Sequence, residues 1–235
     1  GPYDERLGYS RQPHFLPHFY EQGFEVTGQA RMSPRMQWLI KQGLFAPYRE
    51  KIQAGLNIDD ARGYSLYQAT YPTRIYATFD EVPPLVVDTL LFIENRELLE
   101  REHPKKNPAV EWTRLARAVM DKAIQFFIPG HDVPGGSTLA TQIEKFRHSP
   151  DGRTMTVRDK LQQMGSASVR AYLGGEQTFA ARQEIVVSYL NTVPLAAVAG
   201  FGEVNGMGDG LWAWYGLDFA KINRLLAPSG WHLAQ

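Results

Sequence analysis

Cysteine is absent from the 235 residues. That removes disulfides, thiolate catalysis and cysteine-ligated zinc, and leaves both reducing and oxidising compartments open. Net charge is missing too, since 25 Lys and Arg balance 25 Asp and Glu. Without a global field, a nucleic-acid partner is not expected. No apolar run approaches the roughly 20 residues of a membrane-spanning helix, and no basic-then-apolar leader opens the chain. Charged residues make up 21% and hydrophobic ones 43%, enough apolar content for one sizeable core or two lobes sharing a cleft. No histidine spacing suggests a structural metal site, and Pro17 between His14 and His18 argues against a regular helical pair.

The first thirty residues, rich in Pro, His, Tyr and Phe, show no period and are expected to wrap a surface. Ser33-Pro34 reads as an N-cap and first-turn pair for a helix running towards Phe45. Tyr64 to Phe79 reads as one or two short strands. Amphipathic helices are expected from Val86 to about Arg101 and from Glu111 to Phe127. Ser137-Thr138 should cap a helix reaching about His148, with further helices at Thr156 to Leu173, Thr178 to Asn191 and after Asp218. The glycines from Gly200 to Gly210 should bend the chain.

Five ordered segments carry a resemblance: IENRELLE, GGSTLATQIEK, RTMTVRDKLQQ, RQEIVVSYLN and GFGEVNGMGDGLWAWYG. In order and spacing they resemble the motifs of glycosyltransferase family 51, the peptidoglycan glycosyltransferase domains of class A penicillin-binding proteins and monofunctional transglycosylases. The resemblance implies a mainly α fold with a lysozyme-like larger lobe, a smaller lobe across a cleft, and short β elements near the N-terminus. It divides the chain into an extension over residues 1–80, packed on the domain, and a glycosyltransferase domain over 81–235 that the family pattern would carry further.

The reaction implied is attack by a sugar 4-hydroxyl on a lipid-linked disaccharide, with loss of polyprenyl diphosphate. It needs a base, and donors or positive charge for the leaving group. The resemblance places the base at Glu94 and the second catalytic position at Gln162. It assigns substrate contacts to Gly136, Ser137, Thr138, Gln142, Lys145, Arg158 and Asn191. Glycines and a free helix N-terminus suit a diphosphate, although the same residues also make an ordinary turn and cap. Trp212, Trp214 and Tyr215 are open between stacking on sugar and packing a core.

Two departures stand out. Asn95 follows Glu94 where the family carries aspartate, and Gln162 stands where it carries glutamate. An amide supplies neither negative charge nor a strong metal ligand. Asp159 or Glu203 is the candidate replacement carboxylate. A noncatalytic module that binds a glycan or a lipid-linked sugar, or scaffolds the cell envelope, is therefore the alternative to a polymerase. A lysozyme-like hydrolase ranks lower, because Glu94 is the one carboxylate the motifs place. The diphosphate leaves a divalent cation, magnesium or manganese, as an open expectation, with no other cofactor. Expected partners are a lipid-linked sugar precursor or glycan strand and a membrane surface, the latter touched through Ala123 to Ile128. The chain is expected to belong to a larger polypeptide in the periplasmic space, at the bacterial cytoplasmic membrane.

Overall fold

A computed structural model describes residues 2–29, 31–111 and 137–227. The fold is mainly α with two short two-stranded sheets, as a lysozyme-like body requires. The expected Glu111 to Phe127 helix, the apolar Ala123 to Ile128 stretch and Gly136 lie outside the described residues.

The N-terminal region is helical where no period was visible: α1 spans Pro2–Arg6 and α2 spans Gln12–Glu21. Pro17 sits inside α2, whose residues are all at least partly exposed. The helix therefore forms despite a residue that interrupts its hydrogen-bond ladder, which corrects the reading of His14 and His18. Helix α3, Pro34–Lys41, starts at the expected cap, where the Ser33 hydroxyl accepts from Met36 N at 3.2 Å. It stops short of Phe45. Strands β1, Ala54–Asp59, and β2, Ser65–Tyr71, then form an antiparallel hairpin.

Helix α4, Pro84–Glu94, opens with proline at its first turn and buries Val86, Val87 and Leu91. It ends seven residues before the Arg101 expected from its leucine pattern. The reason lies far away in sequence. Arg182, fully buried, donates to the carbonyls of Leu98 at 3.0 Å, Glu100 at 2.7 Å and His103 at 3.2 Å. Those carbonyls satisfy a guanidinium instead of continuing a helix. Thr178 bonds the carbonyls of Pro104 and Lys106, so the Glu100 to Pro108 segment is clamped at both ends.

Helix α5, Leu139–His148, is followed by α6, Val157–Ala171, and α7, Phe179–Thr192. Leu139, Val186, Val187 and Leu190 pack with Val86, Val87, Leu91 and Leu98 in the main core. Each such side chain contributes about 1.5–3 kcal/mol when fully buried. A second hairpin, β3 Pro194–Val198 and β4 Gly202–Asn205, occupies the glycine-rich bend where no strands were expected. Gly200 and Gly202 adopt φ of 82° and 93°, which reverses the chain between the strands.

Helices α8, Met207–Tyr215, and α9, Phe219–Leu226, complete the described chain. Asp209 of α8 is fully buried and accepts from Thr73 N, Arg74 N and the Arg74 guanidinium at 2.9, 3.1 and 3.0 Å. The neighbouring Gly208 allows that approach, since a Cβ there would stand 2.3 Å from the Arg74 carbonyl oxygen. Gly208→Ala is expected to destabilise the fold by about 1–3 kcal/mol through overpacking. Urea unfolding checks this, and an unchanged midpoint would contradict the close approach.

Candidate active site

Glu94 is the last residue of α4, so its carboxylate stands at the negative end of that helix dipole. Such a position disfavours an anion by about 0.3–1 kcal/mol and calls for a donor nearby. Gln142 provides it, its Nε2 donating to Glu94 Oε2 at 2.8 Å. A carboxylate accepts only, so it draws the NH2 end of the amide and leaves the carbonyl end pointing away. That carbonyl accepts from the Tyr189 hydroxyl at 3.3 Å. Three helices thus meet in one chain of hydrogen bonds, from α7 through α5 to α4. Burial pushes the Tyr189 hydroxyl's pKa above its ordinary value, and the nearby Glu94 charge pushes it the same way. The Phe146 ring stands edge-on to Tyr189, with centroids 6.4 Å apart.

The position of Gln142 follows from the start of α5. Thr138 accepts from Thr141 N at 3.3 Å and its own N–H donates to the Thr141 hydroxyl at 2.9 Å, closing a capping box. Gln142 then falls one turn into the helix. Thr138 is 1% exposed and its side chain serves this cap, whereas Ser137 before it is half-buried. Lys145 is half-buried one turn beyond Gln142 and shares its face by helical spacing.

The opposite side of α5 is ionic. Glu50, whose side chain is 3% exposed, pairs with Arg147 at 2.7 Å and Arg170 at 3.1 Å. His148 Nε2 lies 2.6 Å from Glu50, though off the line of a directed hydrogen bond. Arg170 also reaches Glu144 at 2.7 Å and the Tyr48 carbonyl at 2.9 Å. Burial pushes the Glu50 carboxyl up, but contact with His148 and the Arg170 and Arg147 charges outweigh it and hold the group below its ordinary range. This network ties residues 48–50 to α5 and α6 and so braces the helix that carries Gln142. Sequence reading missed it. Its visible signal was Glu144, Arg147 and His148, spaced three and four apart on one helix face.

Other residues singled out from sequence stand apart from Glu94's hydrogen-bond chain. Gln162 donates its amide to the Gly43 carbonyl, while Ser166 on the same face of α6 accepts from Phe45 N at 2.9 Å. Asn191, 1% exposed, accepts from Tyr76 N at 2.9 Å and donates to Tyr76 O at 2.7 Å, as a strand neighbour would. Asp159 accepts from Met155 N and Thr156 N at 3.0 and 2.9 Å, which commits this candidate carboxylate to the cap of α6. Arg158 beside it is exposed. Glu203 is exposed on β4. Trp212 lies under the Arg74 guanidinium at 4.3 Å, while Trp214 and Tyr215 are exposed.

Glu94 at the end of α4, bonded to the capped helix α5 within a mainly α body, is consistent with a lysozyme-like fold. The Transglycosylase family model matches residues 62–227, and the chain belongs to that family. Its function is peptidoglycan glycosyltransferase-like at that level. The match opens ahead of residue 81, within the β1–β2 hairpin turn. No curated protein matches the chain.

A divalent cation does not fit the described residues around Glu94. Among the described residues, the carboxylate and histidine groups that cluster at ligand separation are Glu100, Glu102 and His103, on the loop after α4. The amide of Gln162 is turned to Gly43. A hard divalent ion takes about six oxygen ligands, and in the Glu94–Gln142–Tyr189 chain Glu94 supplies the one carboxylate.

Proposed function

We propose that this chain polymerises a lipid-linked disaccharide, with Glu94 as general base. Glu94 takes the proton of the acceptor 4-hydroxyl as that oxygen bonds to the donor's anomeric carbon. The anomeric C–O bond to the carrier breaks, and its electron pair leaves with the polyprenyl diphosphate. Lys145, on the Gln142 face of α5, and the exposed Arg158 supply positive charge for the leaving group. Ser137, half-buried just before the α5 cap, adds a donor beside it. The observation that carries this reading is the Glu94–Gln142–Tyr189 chain, which orients the carboxylate before substrate arrives.

The lipid carrier makes a membrane surface the natural partner, and a bacterial extracytoplasmic location follows from that substrate. Among the described residues no helix is long and apolar enough to cross a membrane.

One observation favours a second reading, a noncatalytic module that binds a lipid-linked sugar or glycan. Gln162 replaces the expected second carboxylate and is committed to the Gly43 carbonyl. Incubation with labelled lipid-linked disaccharide separates the two. Polymer is expected; bound substrate without polymer would transfer the assignment to the binding module.

A further inference from the structure

The stretch from Val26 to Arg49 carries four basic residues and no Asp or Glu, in a chain whose formal charges cancel overall. Those four, Arg31, Arg35, Lys41 and Arg49, are all exposed, and among the described residues their side chains make no hydrogen bond or ion pair. The stretch lies ahead of residues 62–227, which the family model matches, so this local positive field belongs to the N-terminal extension.

Helix α3 sorts the stretch into two faces. At about 100° per residue, the half-buried Met36, Leu39 and Ile40 share one side. Trp38 stands at the centre of the other, 58% exposed, with Lys41 and Arg35 about 60° to either side. A single exposed apolar residue is ordinary. An indole flanked by unpaired cations, in a segment without an acid, suits a bilayer interface, where tryptophan lies at headgroup level and Lys or Arg faces anionic lipid.

The helix is fastened to the body just past its end. Gln162 donates to the Gly43 carbonyl, and Ser166 accepts from Phe45 N at 2.9 Å. Between them Leu44 lies against Gly165, where a Cβ would stand 3.5 Å from the leucine side chain. These contacts run in order along α6, the helix that carries Arg158. A bilayer held at α3 is therefore held beside that helix.

We infer that the outer face of α3 docks on an anionic phospholipid bilayer, with Trp38 at the interface and Arg35 and Lys41 on the headgroups. It rests on the lipid-carrier reading for why a bilayer is at hand, but vesicle binding needs no turnover. The test sediments the full chain with vesicles of phosphatidylglycerol mixed into phosphatidylcholine, and with phosphatidylcholine alone. Binding is expected to the anionic vesicles and to weaken as salt rises. Arg35→Gln with Lys41→Gln should weaken it about thirtyfold, the combined attraction of two cations near an anionic surface. Brominated lipid should quench the wild type's fluorescence, and Trp38→Phe should reduce that quenching. Glu94→Gln should bind vesicles as the wild type does. Equal binding to both vesicle types, binding undiminished in the double variant, or quenching undiminished in Trp38→Phe would overturn the inference. Soluble polyglutamate bound as tightly as the vesicles would make the face a site for acidic macromolecules and overturn it equally. Polymer formation alongside any of these results would leave the polymerase reading intact, whereas vesicle binding as expected without polymer would leave the docking face intact.

Discussion

Replacing Glu50 with alanine is expected to cost the fold about 3–5 kcal/mol, the range for removing one partner of a buried ion pair. Glu50 faces Arg147, Arg170 and His148, and its own side chain and those of Arg147 and His148 are nearly inaccessible. Without it Arg147 remains buried, while the half-buried Arg170 keeps Glu144. For a chain of this size the melting temperature should fall on the order of 10 °C. A loss under about 1 kcal/mol in urea unfolding would show that the network is incidental.

The same group gives a pH dependence. Its carboxyl titrates below the ordinary carboxylate range in the fold, so the stabilisation is present above the unfolded value, near 4.5, and lost as pH falls through the lower folded value. Glu50→Gln should therefore flatten that part of the acid limb and leave the neutral-to-basic side unchanged in shape.

The second large effect falls on turnover. On the proposed mechanism, Glu94→Gln keeps size and hydrogen bonding but cannot take a proton, and polymerisation should fall about a hundred- to ten-thousand-fold. Gln142→Leu removes the donor that orients the carboxylate and should lower the rate about ten- to a hundredfold, as the loss of a charge-assisted hydrogen bond does. Tyr189→Phe should cost less, because its 3.3 Å bond acts only through Gln142. A ranking with Tyr189→Phe more damaging than Gln142→Leu would contradict the order of the chain.

Much of the helical body was legible because its signals are local. The Ser33 cap, the Thr138 cap and the Thr156 cap all form where the sequence places a hydroxyl before an amphipathic run. The pairing of Glu94 with Gln142 brings together two residues of separate motifs. What escaped was set by distant partners. The leucines after Glu94 continue a helical pattern, yet Arg182 captures the backbone there. Pro194 to Asn205 looks like a loop because its strands are short and its turn is glycine, and only pairing across Gly200 makes it a hairpin. Glu50 sits in an irregular segment, where no period could mark it as buried among arginines. Asn191 and Thr138, which the resemblance associates with substrate, also bond backbone in the fold, a role that motif order does not signal.

The most direct measurement is the rate of polymer formation from labelled lipid-linked disaccharide by the wild type and by Glu94→Gln, with substrate binding measured in both. The proposed mechanism predicts polymer from the wild type, a loss of at least about a hundredfold in the variant, and binding within a few-fold of the wild type. Equal rates in the two proteins would contradict Glu94 as the base.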